Sequence, residues 1–138
     1  MLRSAVVAFV LVSAVSAWGG AAQANDGNPT KKCSTAPAAL SGPTGLPTDF
    51  PSLSTVVYTS TSSAGPSQIA VGYMTTSLGK AYVAWTKALK SPPYAVTHRE
   101  KDPDDAEVNF SSSTTSGQVA LKDACAGRLS VRVTARPA

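Results

Sequence analysis

Groups that commonly bind metals or cofactors are scarce in this chain of 138 residues. Only 14% of the residues are charged, and the chain has one histidine, His98, and two cysteines, Cys33 and Cys125. These are too few ligands for a structural zinc site, which takes four. The nucleotide-binding, zinc-protease, nucleophile-elbow and Cys-x-x-Cys motifs are all missing. We therefore predict a protein that is not an enzyme and that uses no cofactor.

Long apolar runs are also rare, and the one present lies at the N-terminus. Residues 5–17 carry no charge and follow Arg3, and Ala22-Gln23-Ala24 has the small-residue pattern of a signal-peptidase site. The run is shorter than the ~20 residues that span a bilayer as a helix. We predict a signal peptide over residues 1–24, cleavage near Ala24-Asn25, and a secreted or extracytoplasmic protein. No transmembrane segment is expected in the mature chain, and an uncleaved anchor is the alternative.

The two cysteines are expected to form a disulfide. An exported chain enters an oxidising compartment, where an even number of cysteines indicates pairing. A bridge from Cys33 to Cys125 would close a long loop, for which the chain-entropy treatment predicts about 4–5 kcal/mol of stabilisation. A lipid-modified Cys33 is disfavoured, because Lys31 and Lys32 separate it from the apolar run.

Proline, alanine and serine dominate residues 25–51, which hold five of the ten prolines. Such a composition buries little apolar surface and favours extended chain. We predict a flexible tail over 25–51, with Leu46 and Phe50 docking on the core at its end, followed by an α+β domain over 52–138.

Hydrophobic periodicity within 52–138 predicts one helix and six strands. A helical stripe runs over 78–90 and is ended by Pro92-Pro93. The strand at 128–136 alternates most clearly, with Leu129, Val131 and Val133 on one face. The predicted order is β-β-α-β-β-β-β, with a single amphipathic helix packed on one face of a mainly antiparallel sheet.

Five of the eight acidic residues lie between residues 100 and 107, which raises the question of a cation or catalytic site. An EF-hand loop starting at Asp102 fails, because Ala106 occupies its fifth position. A hairpin turn explains Asp-Pro-Asp-Asp between two alternating segments. The alternatives are a weak cation site at Asp102, Asp104 and Asp105, and a small secreted hydrolase in which His98 acts with one carboxylate from Asp102 to Glu107.

Basic residues on the predicted strands suggest a ligand-binding face opposite the helix. Its members share outward positions in the predicted alternation and are Arg99, Lys122, Arg128, Arg132 and Arg136. Such a face suits an extracellular protein or an anionic envelope polymer, and the alternative is an ordinary charged face exposed to solvent. Nucleic acid is not expected as a partner, because no exposed aromatic residue is interleaved with these cations.

Several segments together resemble small exported actinobacterial α+β domain proteins of unknown function: "LPTDFP", "SLGKAYVAWTKAL", "YAVTHREKDPDDAEVNF" and "GRLSVRVTARP". The resemblance implies a low-complexity tail before an α+β domain and brings no catalytic residues. The leading hypothesis is a non-catalytic exported binding domain. A secreted protein inhibitor using a loop over 62–67 is a further alternative, and the oligomeric state is open.

Overall fold

A computed structural model describes residues 31–138, so the predicted signal peptide lies outside the described residues. These residues form six strands and one helix in the predicted order. The elements are β1 (Val56–Ala64), β2 (Ser67–Met74), α1 (Leu78–Leu89), β3 (Ala95–Lys101), β4 (Asp105–Ser111), β5 (Thr115–Cys125) and β6 (Arg128–Pro137). Within this part of the chain, no helix is both long enough and apolar enough to cross a membrane.

All six strands belong to one antiparallel sheet with the order β1-β2-β6-β5-β4-β3. The α1 crossover carries the chain from β2 to β3, which forms one edge of the sheet, and β1 forms the other edge. The prediction of an α+β fold with one helix on an antiparallel sheet is therefore confirmed.

Local sequence explains the tightest turns. Gly65-Pro66 joins β1 to β2, and Ala126-Gly127 joins β5 to β6. Gly65 and Gly127 have φ angles of 56° and 79°. These left-handed conformations cost glycine little, because it has no Cβ atom.

One face of the sheet packs under α1 and forms the core. Trp85 and Leu89 of the helix are fully buried, as are Val108, Val119 and Val131 of the sheet. This is the stripe that the helical periodicity predicts, packed against the apolar faces of the strands. We call the opposite side of the sheet the open face, because no helix within residues 31–138 covers it.

Residues 31–51 are held against the domain, which their composition did not predict. We call this segment the strap. Its first part lies near the β5–β6 turn, where Ala126 N donates to Lys31 O and Cys33 bridges to Cys125. Leu40 N then donates to Tyr58 O on β1. Its last part reaches the helix side, where Leu46 and Phe50 pack on the core as predicted.

A bulge in β3 changes which side chains face the helix. Val96 pairs with Phe110 of β4, and the next paired residue is His98, opposite Asn109. Thr97 is the extra residue, so the alternation reverses after it. His98 and Glu100 consequently lie on the open face, whereas Arg99 and Lys101 lie on the helix side.

Candidate binding surface

The open face presents a row of arginines along β6. Arg128, Arg132 and Arg136 occupy every fourth position, and the intervening outward residues are Ser130 and Thr134. At about 3.4 Å per residue, neighbouring arginines are spaced about 14 Å along the strand. Lys122 joins this face, because it pairs with Ser130 across the β5–β6 ladder. Four of the five predicted basic residues therefore share the open face.

Arg99 is the exception, and its predicted position opposite the helix is wrong. It pairs with the buried Val108 of β4 and lines a groove with Tyr82 and Thr86 of α1. The bulge at Thr97 causes this reversal, because one extra residue moves every later side chain to the other face.

The cations of the open face are not neutralised by neighbouring acids. Within residues 31–138, the one contact under 4 Å between a basic and an acidic side chain joins His98 Nε2 to Glu100 Oε2, at 3.9 Å. Lys122 lies beside Asp105 in the β4–β5 register, yet the two side chains form no such pair. Glu107 instead accepts a hydrogen bond of 2.9 Å from Gln118 Nε2. The positive charge along β6 is therefore available to an external anion.

A concavity of about 390 Å³ lies between the strap and the open face. The strap contributes Lys31 and Lys32, and the sheet contributes Tyr73 and Arg128. The Arg128 guanidinium lies 5.4 Å from the centre of the Tyr73 ring, and its Nη1 donates to Ser34 O at 3.0 Å. This cation–π contact and hydrogen bond hold Arg128 in place at the end of the arginine row.

Polar groups without charge lie at the other end of that row. A second concavity, of about 540 Å³, is lined by Asn109, Gln118, Thr134 and Arg136 among others. Asn109 Oδ1 is buried and has no hydrogen-bond partner among the described residues. Amide and hydroxyl groups beside an arginine can hydrogen-bond to a hydroxyl-bearing anion.

His98, the candidate catalytic histidine, lies on the open face at the β3 edge of the sheet. Its side chain is 63% exposed on an edge strand, and its partner Glu100 is equally exposed. Of the carboxylates that follow His98, Asp102 and Asp104 lie in the β3–β4 connection, whereas Asp105 and Glu107 lie on β4.

The acidic segment forms a hairpin connection between β3 and β4. Asp102 N donates to Asp105 O at 2.9 Å, and Asp123 N donates to Asp104 O at 2.9 Å. Burial raises the pKa of the Asp123 carboxyl, and the nearby charge of Asp104 raises it further. Lys101 partly opposes both effects. In the described chain, no three His, Cys, Asp or Glu side chains are grouped to hold a metal ion. Asp102 and Asp104 thus lie in the connection, Asp105 begins β4, and the three carboxylates are not grouped to hold a metal ion.

Sequence reasoning missed Lys31, Lys32 and Tyr73 as members of the candidate surface. The two lysines fall in a segment whose composition predicts a tail, and only the fold brings them to the sheet. Tyr73 lies in a strand with apolar residues such as Ile69 and Val71, so its sequence context does not mark it as a surface residue. Its cross-strand partner Ser130 shows that it faces outward.

No family model, curated protein or solved structure matches this chain.

Proposed function

We propose that this protein is a non-catalytic exported domain that binds an anionic polymer of the cell envelope or extracellular space. The predicted signal peptide supports export, and the Cys33–Cys125 disulfide is compatible with an oxidising compartment. The binding surface is the open face, along the row formed by Arg128, Arg132 and Arg136.

The observation that carries this proposal is the unneutralised charge on one face of the sheet. An extended polymer could follow β6 over about 27 Å, the length from Arg128 to Arg136 at ~3.4 Å per residue. Arginine suits sulfate, phosphate and carboxylate groups, because its planar guanidinium donates two parallel hydrogen bonds. The polar groups near Arg136 add hydrogen bonds to a polymer that carries hydroxyls.

The acidic side of the same face explains why the polymer would follow β6 rather than cover the sheet. Glu107 of β4 and Glu100 of β3 are directly opposed in the register. The open face is thus positive along β6 and negative at the β3 edge. An anion would be repelled from that edge and oriented along the arginine row.

Dextran sulfate and polyphosphate are suitable probes, with neutral dextran as the control polymer. Binding is measured by fluorescence anisotropy at low and high salt. The test variant is the triple change Lys122→Gln, Arg132→Gln and Arg136→Gln. The matched control removes three charges from the helix side by Lys80→Gln, Lys87→Gln and Lys90→Gln.

We expect both anionic polymers to bind, and added salt to weaken binding through screening. Three exposed charge contacts at ~0.5 kcal/mol each predict about tenfold weaker binding by the test variant. Equal losses in the test and control variants would refute the assignment to the open face. If the domain bound an acidic protein more tightly than both polymers, its partner would be an acidic protein and not an anionic polymer. A turnover activity that is lost in His98→Ala would support the hydrolase alternative instead.

A further inference from the structure

We propose that the groove between α1 and β3 is a docking site for an extended acidic peptide of a partner protein, which adds to the sheet as a seventh strand beside β3. This site is separate from the open face, because it lies on the helix side of the sheet, at the β3 edge.

The β3 edge is available for strand addition. In the described chain, only β4 pairs with Ala95–Lys101, and no other segment forms a backbone hydrogen bond with these residues. The β1 edge differs, because the strap already donates Leu40 N to Tyr58 O at 2.7 Å. An edge strand presents outward N–H and C=O groups that can pair with an extended peptide.

The groove beside this edge can accept side chains of the added strand. It has a volume of about 320 Å³ and is lined by Tyr82, Val83, Thr86, Lys87, Lys90 and Arg99. Val83 is 64% exposed and is the one large hydrophobic residue exposed in the described chain. Side chains that point to the helix side of a peptide on β3 would therefore reach both apolar and charged surface.

The charge of the groove determines the chemistry of its occupant. Lys87, Lys90 and Arg99 all line it, and no acidic residue does. Lys101 lies on the same side of β3, because it pairs with the buried Ala106. The opposite side of β3 carries Glu100 and His98. A matching peptide therefore has acidic residues at alternate positions, and neutral or basic residues between them.

Thr86 supplies an independent indication of a ligand. Its side chain is 6% exposed, it lines the groove, and its Oγ1 is buried without a hydrogen-bond partner. A buried hydroxyl without a partner is unfavourable, because it has lost its bonds to water. Because Thr86 Oγ1 is enclosed, a carboxylate of the docked peptide could accept its hydrogen bond after a small movement of the side chains around it.

The charges on β3 also limit which strands can pair with it. Lysine and arginine on an edge strand discourage indiscriminate pairing, and the bulge at Thr97 distorts the edge. An acidic peptide would neutralise Arg99 and Lys101. The same positive charges that discourage other strands from pairing with β3 would therefore favour an acidic one.

The probe is a labelled octapeptide in which glutamate and threonine alternate. Two further peptides carry backbone N-methyl groups, one on every glutamate and one on every threonine. Binding to the mature chain is measured by anisotropy, and the site is mapped through amide chemical shifts. The test variant combines Lys87→Gln, Lys90→Gln and Arg99→Gln. The control combines Lys122→Gln, Arg132→Gln and Arg136→Gln on the open face.

We expect shifts confined to β3 and α1, and about tenfold weaker binding by the test variant than by the control. Alternate N–H groups of a strand point to opposite edges, so only one N-methylated peptide should lose binding. Equal binding of both methylated peptides, or an equal loss in both variants, would overturn the proposal. So would unshifted β3 amides at millimolar peptide. Dimerisation of the chain through β3 without peptide would also overturn it, by making a second copy the occupant.

Discussion

The ring of Phe50 in the strap lies 5.3 Å, centroid to centroid, from the ring of Phe110 in β4. Phe50 also lies 5.9 Å from Trp85 and 5.8 Å from Tyr94. Rings at these separations interact favourably beyond the apolar area that they bury. The strap is therefore part of the hydrophobic core, although proline-rich sequence surrounds Phe50.

Replacing Phe50 by alanine should destabilise the domain by about 2–4 kcal/mol, somewhat less than the ~3–5 kcal/mol for a fully buried ring. Urea unfolding followed by tryptophan fluorescence measures this as a lower midpoint. Phe50→Leu retains apolar volume and should lose less. Unchanged stability of Phe50→Ala would show that the strap contributes little to the core.

The disulfide should stabilise the domain strongly. Cys33 and Cys125 are separated by 92 residues in sequence, and their Cα atoms lie 5.1 Å apart. Cross-linking so distant a pair restricts the unfolded chain, which predicts a loss of about 4–5 kcal/mol on removal as an upper value. The measurement compares Cys33→Ser/Cys125→Ser with the native protein in urea. Two free thiols in non-reducing mass spectrometry of the native protein would contradict the bridge.

Alkaline pH should weaken folding through buried tyrosine. Burial raises the pKa of Tyr94 to about 12, and the hydrogen bond that its hydroxyl donates to Asp49 adds to this. The raised pKa means that the stabilisation is complete below the unfolded value of ~10 and is lost as pH rises towards 12. Tyr94 should account for roughly 2–3 kcal/mol over this range.

The check is a comparison of Tyr94→Phe with the native protein from pH 8 to 12. The variant should lose about 1 kcal/mol near pH 8, because the hydrogen bond to Asp49 is gone. Its stability should then fall less steeply above pH 10. Burial also raises the pKa of Tyr58 to about 12, so the variant should keep part of the alkaline loss. Parallel curves would exclude Tyr94 as a titrating group.

Gly117 should not tolerate a side chain. A Cβ atom there would collide with Thr134 O and would lie 2.6 Å from Phe110 Cζ. Gly117→Ala should therefore cost about 1–3 kcal/mol through overpacking. Gly79→Ala is the control, because a Cβ in that helical position meets nothing within 4 Å. It should stabilise the domain by about 0.5–1 kcal/mol, and a similar loss in both variants would contradict the steric account.

Calcium should leave the melting temperature unchanged. Asp102 and Asp104 lie in the β3–β4 connection and Asp105 begins β4, and the three are not grouped as metal ligands. A ligand that binds only the folded state raises the melting temperature. A rise of several degrees at sub-millimolar calcium, abolished by Asp104→Asn, would establish a cation site.

The clearest sequence patterns predicted the fold correctly, because each was compatible with only one arrangement of buried and exposed faces. Leu129, Val131 and Val133 can all be buried only if β6 has one covered face, and all three are fully buried. The helical stripe containing Trp85 and Leu89 likewise needed a sheet to cover it. Such periodic patterns depend on burial, which the residue types themselves indicate.

The errors arose where one residue changed the geometry without a recognisable signal. The extra residue Thr97 moved Arg99 to the helix side and His98 to the open face. Threonine is an ordinary strand residue, so nothing marked the bulge. Lys31 and Lys32 were missed for another reason, because their position depends on the long-range contact between Cys33 and Cys125.

The disulfide also determines how the domain would carry mechanical tension. Lys31 O accepts a hydrogen bond from Ala126 N beside the β5–β6 turn. At the opposite end of β5, Ala138 N donates to Thr114 O. A pull on residues 31 and 138 would pass from Cys33 directly to Cys125 and then along β6, leaving residues 34–124 outside the covalent load path. Because β6 is already extended, its covalent backbone and the disulfide would carry this tension, and the hydrogen bonds from β6 to β2 and β5 would bear little of it.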